Sequence, residues 1–172
     1  MIRSLFSTNR DTGALIGRVA LGALLVPHGF QHALGLLGGY GFSGTLGWMT
    51  NTLGFPAPLA VLAIVTEFLA PFALILGLGG RVAAVGIVGL MVGALSTHVP
   101  NGFFMNWFGS LPAGSEGFEY HLVVIGLASV VVLNGSGALS LDRFIVNRFF
   151  RTNPADVDAA REASSSRARR VA

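Results

Sequence analysis

The sequence predicts an all-α polytopic membrane protein, a four-transmembrane-helix bundle followed by a C-terminal amphipathic helix at the membrane interface. Three observations lead there. Of 172 residues, 52% are hydrophobic and 11% charged, against about 25% charged in a soluble domain. The apolar residues gather into four runs near the ~20 residues that cross a bilayer. The basic residues lie almost wholly outside those runs and on one side of them. The mean hydropathy of +0.68 agrees. With no cysteine, disulfides, iron–sulfur clusters and thiolate chemistry are excluded. The 24 glycines suit closely packed membrane helices.

The four spans are placed at about 12–36, 56–78, 81–98 and 119–134. Arg18 interrupts the first run, which also exceeds the ~7–15-residue core of a signal peptide, so no cleaved leader is expected. Arg3 and Arg10 precede span one. Arg81 sits in the Gly79-Gly80-Arg81 turn between spans two and three. Arg143, Arg148, Arg151, Arg161, Arg167, Arg169 and Arg170 follow span four. The connections near 37–55 and 99–118 carry no arginine or lysine. By the positive-inside rule both termini are expected in the cytoplasm and these two connections outside. The pI near 10.6 is therefore assigned to topology, and no nucleic-acid partner is expected.

Trp48, Trp107, Tyr40 and Tyr120 lie in the outer connections or at their edges, with Phe42, Phe55, Phe103, Phe104, Phe108 and Phe118. They form either an interfacial anchoring belt or the mouth of a site for an apolar ligand. After span four, residues 139–151 read as a cytoplasmic amphipathic helix. Ser140 is its N-cap, and Leu141, Phe144, Ile145 and Phe149 share a face. Residues 152–172 read as a disordered basic tail attracted to anionic lipid.

Ionisable residues inside spans are costly, which makes each a functional candidate. Arg18 lies in span one and Glu67 near the middle of span two. They are expected to be neighbours, as a structural ion pair or as part of a proton-relay or quinone site. His28 and His32 are four residues apart and share a helical face. At about 100° per residue, Arg18 falls ~40° from His32 and ~80° from His28. Gly22 and Gly29 fall near this face, which is therefore also expected to pack closely. His98 and Glu119 end and begin spans three and four. If Glu119 faces the bundle, His121, about 160° away, faces outward and is set aside. The group His28, His32, His98 and Glu119 has three readings. It is a set of hydrogen-bonding residues at a wet helix end, a site for a quinone or similar redox molecule, or a metal or haem site. Gly86, Gly89 and Gly93 are read as a helix-packing stripe.

Several stretches in order carry a family resemblance: Arg18 with His28-Gly29-Phe30-Gln31; Glu67, Gly77 and Arg81-Val82-Ala83-Ala84; His98 with Asn101-Gly102-Phe103-Phe104; Gly117-Phe118-Glu119-Tyr120; and Gly135 through Asp142. Over about residues 10–145 the chain resembles the DoxX (DoxX/DoxD-like) family of four-span membrane proteins. Members often carry lysine where this chain has His32, a departure that favours metal or proton-relay roles. The resemblance implies a bacterial inner-membrane subunit tied to respiratory or redox chemistry, such as quinol oxidase or thiosulfate:quinone oxidoreductase. A quinone is the expected ligand, with haem or metal as alternatives. The partners expected are lipid and other membrane subunits or further copies of the chain. The rival expectation is a non-catalytic structural or assembly subunit.

Overall fold

A computed structural model describes residues 6, 8, 11–112 and 114–149. All regular elements among these are helical. Helix α1 (Thr12–Gly29) begins on Asp11, whose carboxylate accepts from the Gly13 and Ala14 amides at 2.8 and 3.2 Å. Such a cap satisfies amides that a helix start leaves without partners. Beyond Pro27, α1 widens into a π-turn, Phe30–Leu34, ended by Gly35 in the left-handed region. The expected outer loop near 37–55 instead contains helix α2 (Gly41–Asn51). Its aromatic residues, read as an anchoring belt or a ligand mouth, carry no helical signal of their own. Helix α3 (Ala57–Leu76) starts after Pro56 and stops at Gly77, with φ +65°. There the Gly77 and Leu78 amides return to the Leu74 and Ala73 carbonyls, a Schellman-type end that glycine permits. Helix α4 (Gly80–His98) runs on into the 3-10 turn Val99–Asn101. Helices α5 (Glu119–Asn134) and α6 (Leu141–Phe149) complete the order.

Three of these segments, Thr12–Leu34, Ala57–Leu76 and Gly80–Asn101, are long and apolar enough to cross a membrane. Helix α5 has 16 residues, a rise of about 24 Å against a ~30 Å hydrocarbon core. The four form a closed ring: α1 packs on α3 and α5, and α4 packs on α3 and α5. Leu21, Leu25, Leu74, Ile87, Val124 and Val131 fill the centre. The N-terminus of α1, the C-terminus of α3, the N-terminus of α4 and the C-terminus of α5 share one end, the arginine end. His28, His32, His98, Tyr120 and His121 lie toward the other.

Gly22 and Gly29 pack as expected. A Cβ on Gly22 would approach Ile75 Cγ1 to 2.7 Å and the Pro71 carbonyl to 2.8 Å; one on Gly29 would approach the Glu67 carbonyl to 2.7 Å. Pro71 has no amide, so the Glu67 carbonyl lacks its helical donor. That bare oxygen is what Gly29 lies against. Gly29→Ala should force α1 and α3 apart at this level and cost about 1–3 kcal/mol. Unfolding in mixed detergent micelles would read it, and a loss under 0.5 kcal/mol would show that the crossing relaxes freely. The stripe on α4 differs from expectation. Gly86 meets Thr66 at 3.0 Å, but Gly89 and Gly93 have nothing within 4 Å. They face away from the bundle.

Residues 150–172 lie outside the described residues, and with them the end of the expected 139–151 helix and the whole expected tail. Within α6, Ser140 Oγ accepts from the Arg143 amide at 3.3 Å, as an N-cap does. Leu141, Phe144 and Phe149 are exposed.

Candidate functional site

Arg18 and Glu67 do not form the expected pair. The Arg18 side chain is buried, 1% exposed, and points to the arginine end. Its Nε donates to the Ser136 carbonyl at 2.6 Å. Nη1 donates to Leu74 and Ile75 at 2.6 Å each, and Nη2 to Ala138 and Leu139 at 3.2 and 2.8 Å. A guanidinium has five N–H donors, and each finds a carbonyl. Two of these belong to the last turn of α3, where i+4 donors run out and the dipole is negative; Leu74 shares its carbonyl with the Gly77 amide. Three belong to the irregular segment 136–139, whose backbone has no helical ladder to satisfy them. The expected pairing failed on depth. Glu67 lies level with Gly29, about 16 Å of helix rise beyond Arg18.

The arginine end carries a second clamp. Asp142, 1% exposed, accepts from the Gly79 and Gly80 amides at 2.6 and 3.1 Å and from Ser136 Oγ at 2.6 Å. It thereby caps the N-terminus of α4 from a distant part of the chain. Gly80 leaves room for this, since a Cβ there would strike Ser136 Oγ. Arg81 Nη1 donates to the Val132 and Leu133 carbonyls at 2.6 and 3.1 Å, at the end of α5. Arg18 and Arg81 thus each hold the C-terminus of a neighbouring span, so neither is purely topological.

At the other end the polar side chains converge. His32 Nδ1 meets Glu67 Oε2 at 2.5 Å, the one ion pair among the described residues. The π-turn adds a residue to the helical circuit, a distortion common at functional sites, and it carries His32. The Glu67 side chain is 9% exposed and that of His32 33%. The Tyr120 ring stacks on His28, centroids 6.2 Å apart and planes at 22°. His121 adjoins Tyr120 at 6.0 Å and His98 at 4.6 Å between centroids. His98 Nδ1 is engaged by Thr97 Oγ1 at 3.1 Å and the Ala94 carbonyl at 2.9 Å. Two atoms in this row are buried and make no hydrogen bond: the Tyr120 hydroxyl and His121 Nδ1.

His121 therefore faces inward, 7% exposed, with Val124, Ala128 and Val131. The opposite orientation expected from the sequence is corrected. Gly126 has nothing within 4 Å and Leu133 is 75% exposed, so the face they share with Glu119 is the outer one. Glu119 accepts from the Met105 amide at 3.3 Å and Trp107 Nε1 at 3.4 Å, holding the connecting loop. The structure thus brings His28, His32, His98 and Glu67 into one row, adds Tyr120 and His121, and turns Glu119 to the loop. Among the described residues no group of three or more His, Cys, Asp or Glu is placed to hold a metal ion.

Comparison with known proteins gives one match. The DoxX family model covers residues 13–107, more than half the chain, from the start of α1 into the loop before α5. No curated protein and no solved structure matches. The matched stretch holds Arg18, His28, His32, Glu67, Arg81 and His98, and the helical membrane bundle fits it: the chain belongs to the DoxX family of membrane proteins.

Proposed function

We propose that the histidine end binds the head group of a quinone-class molecule, in a redox-associated subunit of a bacterial inner membrane with both termini in the cytoplasm. One observation carries this reading. The Tyr120 hydroxyl and His121 Nδ1 are buried without partners beside a His32–Glu67 pair. An unsatisfied buried polar group costs about 1–3 kcal/mol and calls for an explanation in a native structure. A ligand with two oxygen acceptors supplies one. Quinone oxygens accept from a phenol and an imidazole N–H, and an imidazole–carboxylate pair can exchange the protons that reduction consumes. The His28–Tyr120 stack offers a flat wall to a planar ring. The exposed Phe103, Phe104 and Trp107 lie on the loop at this end, where an apolar ligand enters from lipid.

The test is extraction of quinone from protein purified in mild detergent, followed by titration with a short-chain quinone read by tryptophan fluorescence. Retained quinone and saturable quenching are expected. No retained quinone and no saturable binding would overturn the reading.

A second reading, a structural or assembly subunit, rests on α4. Gly89 and Gly93 are open, and Val85 and Val92 beside them are exposed. Small residues on a lipid-facing surface let another helix approach closely, whether from a different subunit or from a second copy.

A further inference from the structure

A groove of about 950 Å³ opens at the arginine end, remote from the histidine row. Its size is at the upper end of the ~300–1,000 Å³ usual for small-ligand sites. Ile75, Leu76, Leu139 and Phe144 supply its apolar wall, and Arg143 and Asn147 its polar rim. The wall is built and held open. Leu139 has φ +48°, a left-handed conformation uncommon for any residue but glycine. Its carbonyl is fixed by Arg18, and its side chain is turned outward, 85% exposed. Phe144 is 64% exposed on the facing helix α6. Among the described residues Arg143 makes no ion pair, so its charge is available at the rim.

We propose that this groove is a site for one anionic phospholipid of the surrounding bilayer. Its acyl chain would lie against Ile75, Leu76, Leu139 and Phe144, and its phosphate at Arg143 and Asn147. Two features favour this occupant over a partner helix. The groove lies at the ends of α1 and α3, where a headgroup meets the protein. Its one charge is positive and sits at the rim, above an apolar floor, which is the pattern of a phospholipid. A basic residue near the membrane surface attracts anionic lipid by about fivefold.

The test is native mass spectrometry of the full chain released from nanodiscs of equal phosphatidylglycerol and phosphatidylcholine. One phosphatidylglycerol should be retained preferentially. Arg143→Gln should lower that preference about fivefold. Arg148→Gln should change it less than twofold, because Arg148 lies over the Phe149 ring and not in the groove. Phe144→Ser should reduce retention of both lipids. Equal losses in Arg143→Gln and Arg148→Gln would show diffuse attraction to the surface and overturn the site. So would equal retention of the two lipids by the unaltered chain, or no retention of either. Thermal unfolding of each variant separates loss of the lipid from loss of the fold. Quinone binding at the histidine end is expected to be unchanged in all three.

Discussion

Arg18→Met should cost the bundle about 3–5 kcal/mol, the range for breaking a buried charged network by removing one member. Methionine fills much of the volume and removes all five donors. The Ile75 carbonyl then loses its donor, Leu74 keeps only the Gly77 amide, and the Ser136, Ala138 and Leu139 carbonyls leave an irregular segment unsatisfied. The effect falls short of five independent bonds because water reaches a helix end. Arg18→Lys should recover less than half, since an ammonium offers three donors from a point and not five from a planar fork. Unfolding by a strong detergent, followed by circular dichroism, measures both. A loss below 1 kcal/mol for Arg18→Met would show that water serves these carbonyls and that Arg18 is not the clamp.

Glu67→Gln should weaken binding of the quinol form about 10- to 100-fold while changing stability little. A quinol hydroxyl would donate to this carboxylate, and a hydrogen bond to a charged group is worth about 1.5–3 kcal/mol. The amide keeps the size of the carboxylate and can still bond His32, but it accepts only as a neutral group. Equilibrium titration with a short-chain quinol, beside an unfolding curve, separates the two effects. Unchanged affinity would remove Glu67 from the ligand site and leave the His32 pair a structural contact.

Much of the scaffold was legible from the sequence. Hydropathy marked the apolar helices, and Gly22 and Gly29 marked a close-packing face, which the structure sets against α3. The polar centre was legible only as a set of residues. Helical phase placed His28 and His32 on one face but could not say how far α3 slides along α1. That offset put Glu67 opposite Gly29, within reach of His32 and out of reach of Arg18. The orientation of α5 was misread for a related reason. Both faces of a membrane helix are apolar, so no amphipathic signal separates core from lipid. Side-chain size does not separate them either: Val124 and Val131 face in with Ala128 and His121, while Val123 faces out with Leu122 and Leu133. Asp142 falls in the first turn of the expected C-terminal helix and ends one of the stretches that carry the family resemblance. Its role as a cap for α4, 62 residues away along the chain at Gly80, depends on a fold that brings both ends together.

The most direct measurement is a paired one on Tyr120→Phe: quinone affinity and unfolding free energy in the same micelles. The substitution removes one buried hydroxyl that has no partner in the protein and leaves the ring on His28. The account predicts unchanged or slightly raised stability, because an unsatisfied polar atom is lost, together with at least fivefold weaker quinone binding. Unchanged binding at unchanged stability would contradict it, and the histidine row would then be packing and not a site.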